Sequence, residues 1–135
     1  MTYKNLLICF ILCTTLLGCR ETVAQDRAKV VSPKEMLKSI DSGSVQLIDI
    51  RTPAEFQEGH LKNAKNIDFL SSTFKKDISG LDKEKPVYIY CRSGNRSGKS
   101  SLIMKSLGFK NVYNLKEGMN GWLSNRNEII LDSLN

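Results

Sequence analysis

The chain has 135 residues, a length that fits one globular domain and is too short for two separate hydrophobic cores. Hydrophobic residues make up 41% and charged residues 25% of the sequence, which excludes collagen-like, coiled-coil and low-complexity proteins. The formal charge is +6, but lysine and arginine never form a run longer than two. Nucleic-acid binding is therefore not expected, and small anions are the ligands that this mild charge favours.

The first eighteen residues have the pattern of a secretory signal peptide. Lys4 supplies a positive charge, and an apolar stretch follows from Leu6 to Leu17. This stretch is too short for a stable membrane-spanning helix, which needs about 20 apolar residues. We therefore expect residues 1–18 to be a leader that is removed on export.

The end of this leader reads Leu16-Leu17-Gly18-Cys19, which resembles the lipobox of bacterial lipoproteins. In a lipobox the chain is cleaved before the cysteine, and the cysteine sulfur is lipid-modified. The resemblance implies a lipid on Cys19, a polar tether over residues 19–27, and a mature protein anchored to a membrane in the periplasm or cell envelope. An ordinary cleaved signal or a short anchor is the alternative.

This processing changes the number of available thiols. Cys9 and Cys13 leave with the leader and Cys19 is blocked by lipid, so Cys91 is the single thiol expected in the domain. Exported proteins normally pair their cysteines, and an unpaired one suggests a reactive role. The alternative is a buried cysteine that packs as a small hydrophobic residue.

Helix and strand signals alternate from residue 32 onward. Ser32-Pro33-Lys34-Glu35 and Thr52-Pro53-Ala54-Glu55 are capping boxes with proline at the first helical position, and they predict helices that end near Gly43 and Gly59. Further helices are predicted over 72–78 and over 97–107, the latter closed by glycine. Short β-branched or aromatic runs predict strands over 28–31, 45–50, 64–67, 87–90 and 111–115.

The alternating order predicts an α/β domain over residues 28–135, with a mostly parallel sheet of about five strands covered by helices on both faces. The run Val87-Tyr88-Ile89-Tyr90 has no polar alternation, which is typical of a central strand buried on both sides. In such sheets, functional residues gather beyond the carboxyl ends of the strands. Cys91 follows this run directly, so we expect it at that edge.

The segment after this strand is a polar loop that leads into a helix, Cys91-Arg92-Ser93-Gly94-Asn95-Arg96-Ser97. Backbone N–H groups converge where a loop winds into a helix N-terminus, and the helix dipole adds partial positive charge, so the loop forms a cradle for an anion. Such a site lowers a cysteine pKa from about 8.5 to about 3.5–7.5. Arg92 and Arg96 are expected to act in the same direction, and no general base is then needed.

This loop resembles the active-site loop of the rhodanese family. Four other segments resemble the family in the same order, and together they extend from about residue 31 to 122. They are Leu47-Ile48-Asp49-Ile50-Arg51, then Glu55 to Leu61 with Ala64 and Asn66-Ile67, then Leu107-Gly108-Phe109 through Leu115, and Gly121-Trp122.

The resemblance implies a rhodanese-like fold and a sulfurtransferase with a persulfide intermediate on Cys91. A donor, thiosulfate or a persulfide, passes a sulfane sulfur to Cys91, and a thiol, a cyanide-like nucleophile or a protein acceptor removes it. No cofactor and no metal are expected, and we expect a monomer. The residues expected to bind the substrate are Arg92, Ser93, Gly94, Asn95, Arg96 and Ser97.

Four alternatives stay open. Related phosphatases and arsenate reductases surround a tetrahedral oxyanion with a Cys-x5-Arg loop, whereas the segment from Cys91 to Arg96 is one residue shorter and suits a single sulfur better. A nucleotide-binding phosphate loop has the wrong spacing, since only three residues separate Gly94 from Gly98. A non-catalytic binding module of the cell envelope is the rival from another functional class. A redox sensor or thiol-exchange partner is a further alternative, and it would require a resolving cysteine from another protein.

Other polar residues near this loop have simpler explanations than catalysis. His60 is expected to hydrogen-bond locally, and Asp49 or Arg51 to pair with Glu55 or the neighbouring loop. Glu117 stands where many family members have the first glycine of a pair. If that turn borders the pocket, its carboxylate repels anionic donors such as thiosulfate and leaves persulfide donors usable.

Overall fold

The computed structural model describes residues 27–129, which form five strands and five helices. The strands are β1 (Lys29–Val31), β2 (Gln46–Asp49), β3 (Lys65–Asn66), β4 (Val87–Tyr90) and β5 (Val112–Leu115). The helices are α1 (Pro33–Asp41), α2 (Pro53–Gln57), α3 (Phe74–Ser79), α4 (Asn95–Ser106) and α5 (Gly118–Ser124). The predicted leader, the predicted lipidation at Cys19 and nearly all of the predicted tether lie outside the described residues.

The strands form one sheet in the order β1-β5-β4-β2-β3, and every pairing among them is parallel. In the register, Ile89 of the central strand β4 lies between Ile48 of β2 and Asn114 of β5. Because the strands run in one direction, their carboxyl ends meet at a single edge. The predicted α/β fold is confirmed, and within residues 27–129 its sheet is wholly parallel.

Successive residues of β4 point to opposite faces of the sheet, and both faces are covered. Val87 and Ile89 pack with α3 and α4, including Met104, whereas Tyr88 and Tyr90 pack on the face that holds α1 and α5. All four β4 residues are buried, as expected for a strand between two helical layers. Trp122 of α5 completes the second layer.

Both capping boxes form as the sequence predicts. The Ser32 hydroxyl accepts a hydrogen bond from the Glu35 N–H at 3.3 Å, and the Glu35 carboxylate accepts one from the Ser32 N–H at 2.8 Å. Thr52 and Glu55 make the same pair of contacts at the start of α2. The helices end slightly before the predicted glycines, at residues 41 and 57.

Two elements at the functional edge differ from prediction. Helix α4 begins at Asn95, two residues earlier than expected, because Gly94 adopts a left-handed conformation with φ of +91° and turns the loop directly into the helix. Helix α5 was not predicted, since its two glycines disfavour a helix, and packing of Met119 and Trp122 against the sheet overrides that preference. None of the helices in residues 27–129 combines the length and apolar character that a membrane crossing requires.

Candidate active site

Cys91 follows β4 at the carboxyl edge of the sheet, where the sequence places it. Its side chain is 1% exposed and packs with the α3 and α4 layer. It is the one free cysteine in the described part of the chain. Burial alone does not distinguish a reactive cysteine from a structural one. The contacts of the Cys91 sulfur are the evidence that does.

The Cys91 sulfur is the focus of hydrogen-bond donors from the loop. The Gly94 N–H donates to Sγ at 3.2 Å, and the Ser97 hydroxyl lies 3.4 Å from Sγ. Burial raises the pKa of the Cys91 thiol, but the Ser97 hydroxyl and the N–H groups of Ser97, Ser93 and Gly94 outweigh it, and the pKa is lowered overall. The direction agrees with the sequence prediction, whereas the main causes are a hydroxyl and backbone amides instead of the two arginines.

The amino end of α5 fixes the backbone of this loop. The Met119 N–H donates to the Cys91 carbonyl at 2.8 Å, and the Asn120 N–H donates to the Arg92 carbonyl at 3.0 Å. Gly118 adopts φ of +56°, and a Cβ there would collide with the Cys91 carbonyl oxygen. These bonds hold the two loop carbonyls towards α5, so the loop N–H groups remain free to face the sulfur. Sequence reasoning missed this contact because it missed α5.

Arg96 is held by a carboxylate from another helix. Its Nη1 and Nη2 atoms donate to Oε2 and Oε1 of Glu55, each at 2.7 Å. The Arg96 hydrogen bonds, helped by those from Thr52, outweigh burial and lower the pKa of Glu55 to about 2. The pKa of Arg96 is raised, first by Glu55 and to a smaller extent by the nearby Cys91 thiolate. Arg96 therefore lies beside the sulfur with a fixed counter-ion.

The expected partners of Asp49 and Arg51 are partly wrong. The two residues pair with each other, with Arg51 Nη2 2.6 Å from Asp49 Oδ2, and Arg51 also donates to the Gly59 carbonyl at 2.7 Å. Residues two apart on an extended segment point to the same face, so the side chains meet without help from another element. Glu55 is consequently left for Arg96. Both members of the Asp49–Arg51 pair are buried.

The remaining predicted substrate-binding residues do not all face one space. Arg92 lines a cavity of about 170 Å³ at the edge of the loop, next to Glu55 and Asn120. Asn95 and Gly94 line a different cavity of about 350 Å³, on the side of α4 that faces Asn114. The structure therefore brings Ser93, Gly94, Arg96 and Ser97 to the sulfur, places Arg92 at an adjacent opening, and turns Asn95 to the other side.

Two secondary expectations can be compared with the structure. The His60 Nδ1 atom lies 3.2 Å from the Phe56 carbonyl oxygen, and the two rings stack with centroids 3.8 Å apart, which confirms a local hydrogen bond. Glu117 adopts φ of +58°, a left-handed conformation that suits a position often held by glycine. Its side chain lies beside Gly121 of α5.

Comparison with known proteins assigns a family to this fold and loop. A family model described as Rhodanese-like domain matches residues 32–125. The solution structure of the polysulfide-sulfur transferase homodimer from Wolinella succinogenes is similar with a TM-score of 0.66 and 29% identity, covering 78% of this chain and 80% of that one.

Two curated relatives show how far the similarity extends. The uncharacterized protein YqhL of Bacillus subtilis is 40% identical over 77 residues, which cover 57% of this chain and 60% of that protein. The tRNA uridine(34) hydroxylase of Pelagibacter ubique is 35% identical over 96 residues, which cover 70% of this chain and 32% of that enzyme. The chain thus spans less than two thirds of the length of either relative.

Proposed function

Because this chain belongs to the rhodanese-like domain family, we propose that it is a sulfurtransferase that carries a sulfane sulfur as a persulfide on Cys91. One observation carries the proposal: the Gly94 N–H and the Ser97 hydroxyl both point at Cys91 Sγ within a loop whose carbonyls are held elsewhere. Donors arranged in this way stabilise a sulfur anion. A cysteine that served only as core packing has no use for them.

The proposed reaction has two displacements at sulfur. The Cys91 thiolate attacks the sulfane sulfur of the donor, the bond from that sulfur to the rest of the donor breaks, and the leaving group takes the bonding electrons, as sulfite does when the donor is thiosulfate. This step forms the Cys91 persulfide anion. A nucleophilic acceptor then attacks the outer sulfur, the persulfide bond breaks, and the Cys91 thiolate is regenerated.

The same loop serves both sulfur anions of this cycle. In the free protein the N–H groups and the Ser97 hydroxyl surround Sγ, and their distances of 3.2 and 3.4 Å are ordinary for donors to sulfur. In the persulfide the negative charge lies on the outer sulfur, and hydrogen-bond donors on the solvent side of the same loop are the groups that can stabilise it. The cycle therefore needs no proton transfer to or from a histidine.

Intact mass spectrometry tests the proposal. After incubation with thiosulfate or a persulfide donor, the protein should gain the mass of one sulfur atom, and cyanide should remove it as thiocyanate. Cys91→Ser is the variant that must not gain it. The matched control that must gain it is Ser100→Ala, at a buried serine of α4 whose hydroxyl makes no hydrogen bond within residues 27–129. If no donor adds sulfur to the wild-type protein, the proposal fails.

The place of action is a second part of the proposal and is supported by the sequence alone. We propose that residues 1–18 are removed, that Cys19 is lipidated, and that the domain works at the cell envelope as a membrane-anchored protein. Expression in a bacterium with radiolabelled palmitate tests this directly. Label should enter the wild-type protein and not a Cys19→Ala variant, and label that enters both would exclude Cys19 as the lipid site.

A further inference from the structure

The two arginines of the Cys91 loop have different electrostatic surroundings. Arg96 gives two terminal nitrogens to the Glu55 carboxylate, so its charge is compensated. Arg92 is exposed, and its side chain enters none of the hydrogen bonds or ion pairs found within residues 27–129. The loop therefore offers an incoming anion one uncompensated positive charge.

Glu55 cannot easily release Arg96, because the same carboxylate closes a capping box. The Thr52 N–H and hydroxyl donate to Glu55 Oε2 at 3.1 and 3.2 Å, and Oε2 also accepts from Arg96 Nη1. Turning the carboxylate away would leave the Thr52 N–H without its acceptor and would break one of the two bonds of the capping box. The ion pair is thus preorganised by the helix that carries it.

The cavity of about 170 Å³ beside the loop has no excess of positive charge. Four charged side chains line it, two of each sign: Arg51, Arg92, Glu55 and Glu58. Arg51 is already paired with the buried Asp49, and Glu55 is paired with Arg96. The remaining two charges, on Arg92 and Glu58, are opposite in sign.

We propose that Glu55 is a positioning residue that makes the Cys91 site favour monoanionic over dianionic sulfur donors, an inference that rests on the proposed sulfurtransferase function. Glu55 holds Arg96 beside Sγ and cancels its charge. The Cys91 thiolate repels a negatively charged donor, and only the positive charge of Arg92 is left to offset this repulsion. A dianion such as thiosulfate meets the full repulsion, whereas a monoanion meets about half of it. The substrate class is therefore a donor with a single negative charge.

A matched pair of donors isolates charge from chemistry. Thiosulfate is a dianion, and methanethiosulfonate is a monoanion with a methyl group in place of one oxygen. In both, the Cys91 thiolate attacks the sulfane sulfur, the bond to the sulfonyl sulfur breaks, and the leaving group, sulfite or methanesulfinate, takes the electron pair. Both reactions leave the same persulfide anion on Cys91.

The experiment compares kcat and KM for the two donors, with cyanide as acceptor, in the wild-type protein, Glu55→Gln and Glu58→Gln. Glutamine keeps the capping box and one hydrogen bond to Arg96 but removes the charge. We expect Glu55→Gln to raise the thiosulfate-to-methanethiosulfonate ratio of kcat/KM about tenfold, mainly by lowering the KM for thiosulfate. Glu58→Gln removes an exposed charge from the same cavity without touching Arg96, and because solvent and salt screen an exposed charge it should change the ratio less than about twofold.

Salt gives a second measurement that needs no variant. Because the wild-type site repels the dianion, added salt should raise the same ratio by screening that repulsion. An unchanged ratio in Glu55→Gln, an equal shift in Glu58→Gln, or a wild-type ratio that falls with salt each overturns the inference. If the wild-type protein accepts sulfur from neither donor, the proposed function fails and the inference falls with it, whereas sulfur loading with an unmoved ratio overturns the inference alone.

Discussion

The Ser97 hydroxyl lies 3.4 Å from the Cys91 sulfur and is the strongest single cause that lowers the pKa of this buried thiol. Ser97 is itself fully buried on the first turn of α4, so its hydroxyl has little choice of partner. A cysteine at the end of a central strand is in this way joined to the helix that follows it.

Replacing Ser97 with alanine should raise the pKa of Cys91, because one donor to the thiolate is lost while the burial stays. The rate of alkylation by iodoacetamide, measured against pH, reports the thiolate. The profile should move to higher pH, and the rate at neutral pH should fall about tenfold, as expected for one hydrogen bond to a charged group. An unchanged profile would show that the backbone N–H groups alone set the pKa.

Replacing Gly118 with alanine should disturb the Cys91 loop more than an ordinary glycine substitution. Its φ of +56° already disfavours a side chain, and the added Cβ would collide with the Cys91 carbonyl. Gly43→Ala is the matched control, since Gly43 has φ of +71° but nothing within 4 Å of the new Cβ. In urea unfolding we expect about 1 kcal/mol of destabilisation for Gly43→Ala and clearly more for Gly118→Ala. Equal losses in the two variants would contradict the collision.

The Glu55–Arg96 pair should make stability depend on acid. Folding lowers the pKa of Glu55 from 4.5 to about 2, so its contribution is present above pH 4.5 and is lost as the pH falls towards 2. The wild-type protein should therefore lose more stability over this interval than Glu55→Gln, whose side chain at position 55 cannot be protonated. Urea unfolding of both proteins at a series of pH values measures the difference, and parallel curves would contradict it.

The buried Asp49–Arg51 pair should be costly to break from one side. Asp49→Leu leaves the Arg51 guanidinium buried with only the Gly59 carbonyl as acceptor, and we expect a loss of about 3–5 kcal/mol in the free energy of unfolding. The double variant Asp49→Leu with Arg51→Met removes both charges and should recover most of that loss. A double variant that is no more stable than Asp49→Leu would show that the charge is not the cause.

Local sequence patterns were sufficient for much of the site. The capping boxes at Ser32 and Thr52, the buried strand before Cys91 and the polar loop after it were all predicted correctly. The capping boxes depend on contacts between residues three positions apart, and the strand shows as an unbroken apolar run in the sequence. The order of strand, glycine turn and helix also predicts the anion cradle, although bonds from α5 hold the carbonyls of the loop in place.

The tertiary structure decided what surrounds that loop. The hydrogen bonds between Glu55 and Arg96 join residues 41 positions apart, and they form only because α2 and α4 meet at the carboxyl edge of the parallel sheet. The bond from the Met119 N–H to the Cys91 carbonyl needs α5, a helix that its own glycines disfavour and that packing against the sheet stabilises. The sequence by itself therefore determined the position of Cys91 at the end of a buried strand and the loop that follows it. Packing decided that Arg96 has a counter-ion and that the loop carbonyls are hydrogen-bonded to α5. Such long-range contacts depend on where whole helices and strands lie, and not on the sequence pattern within any one of them.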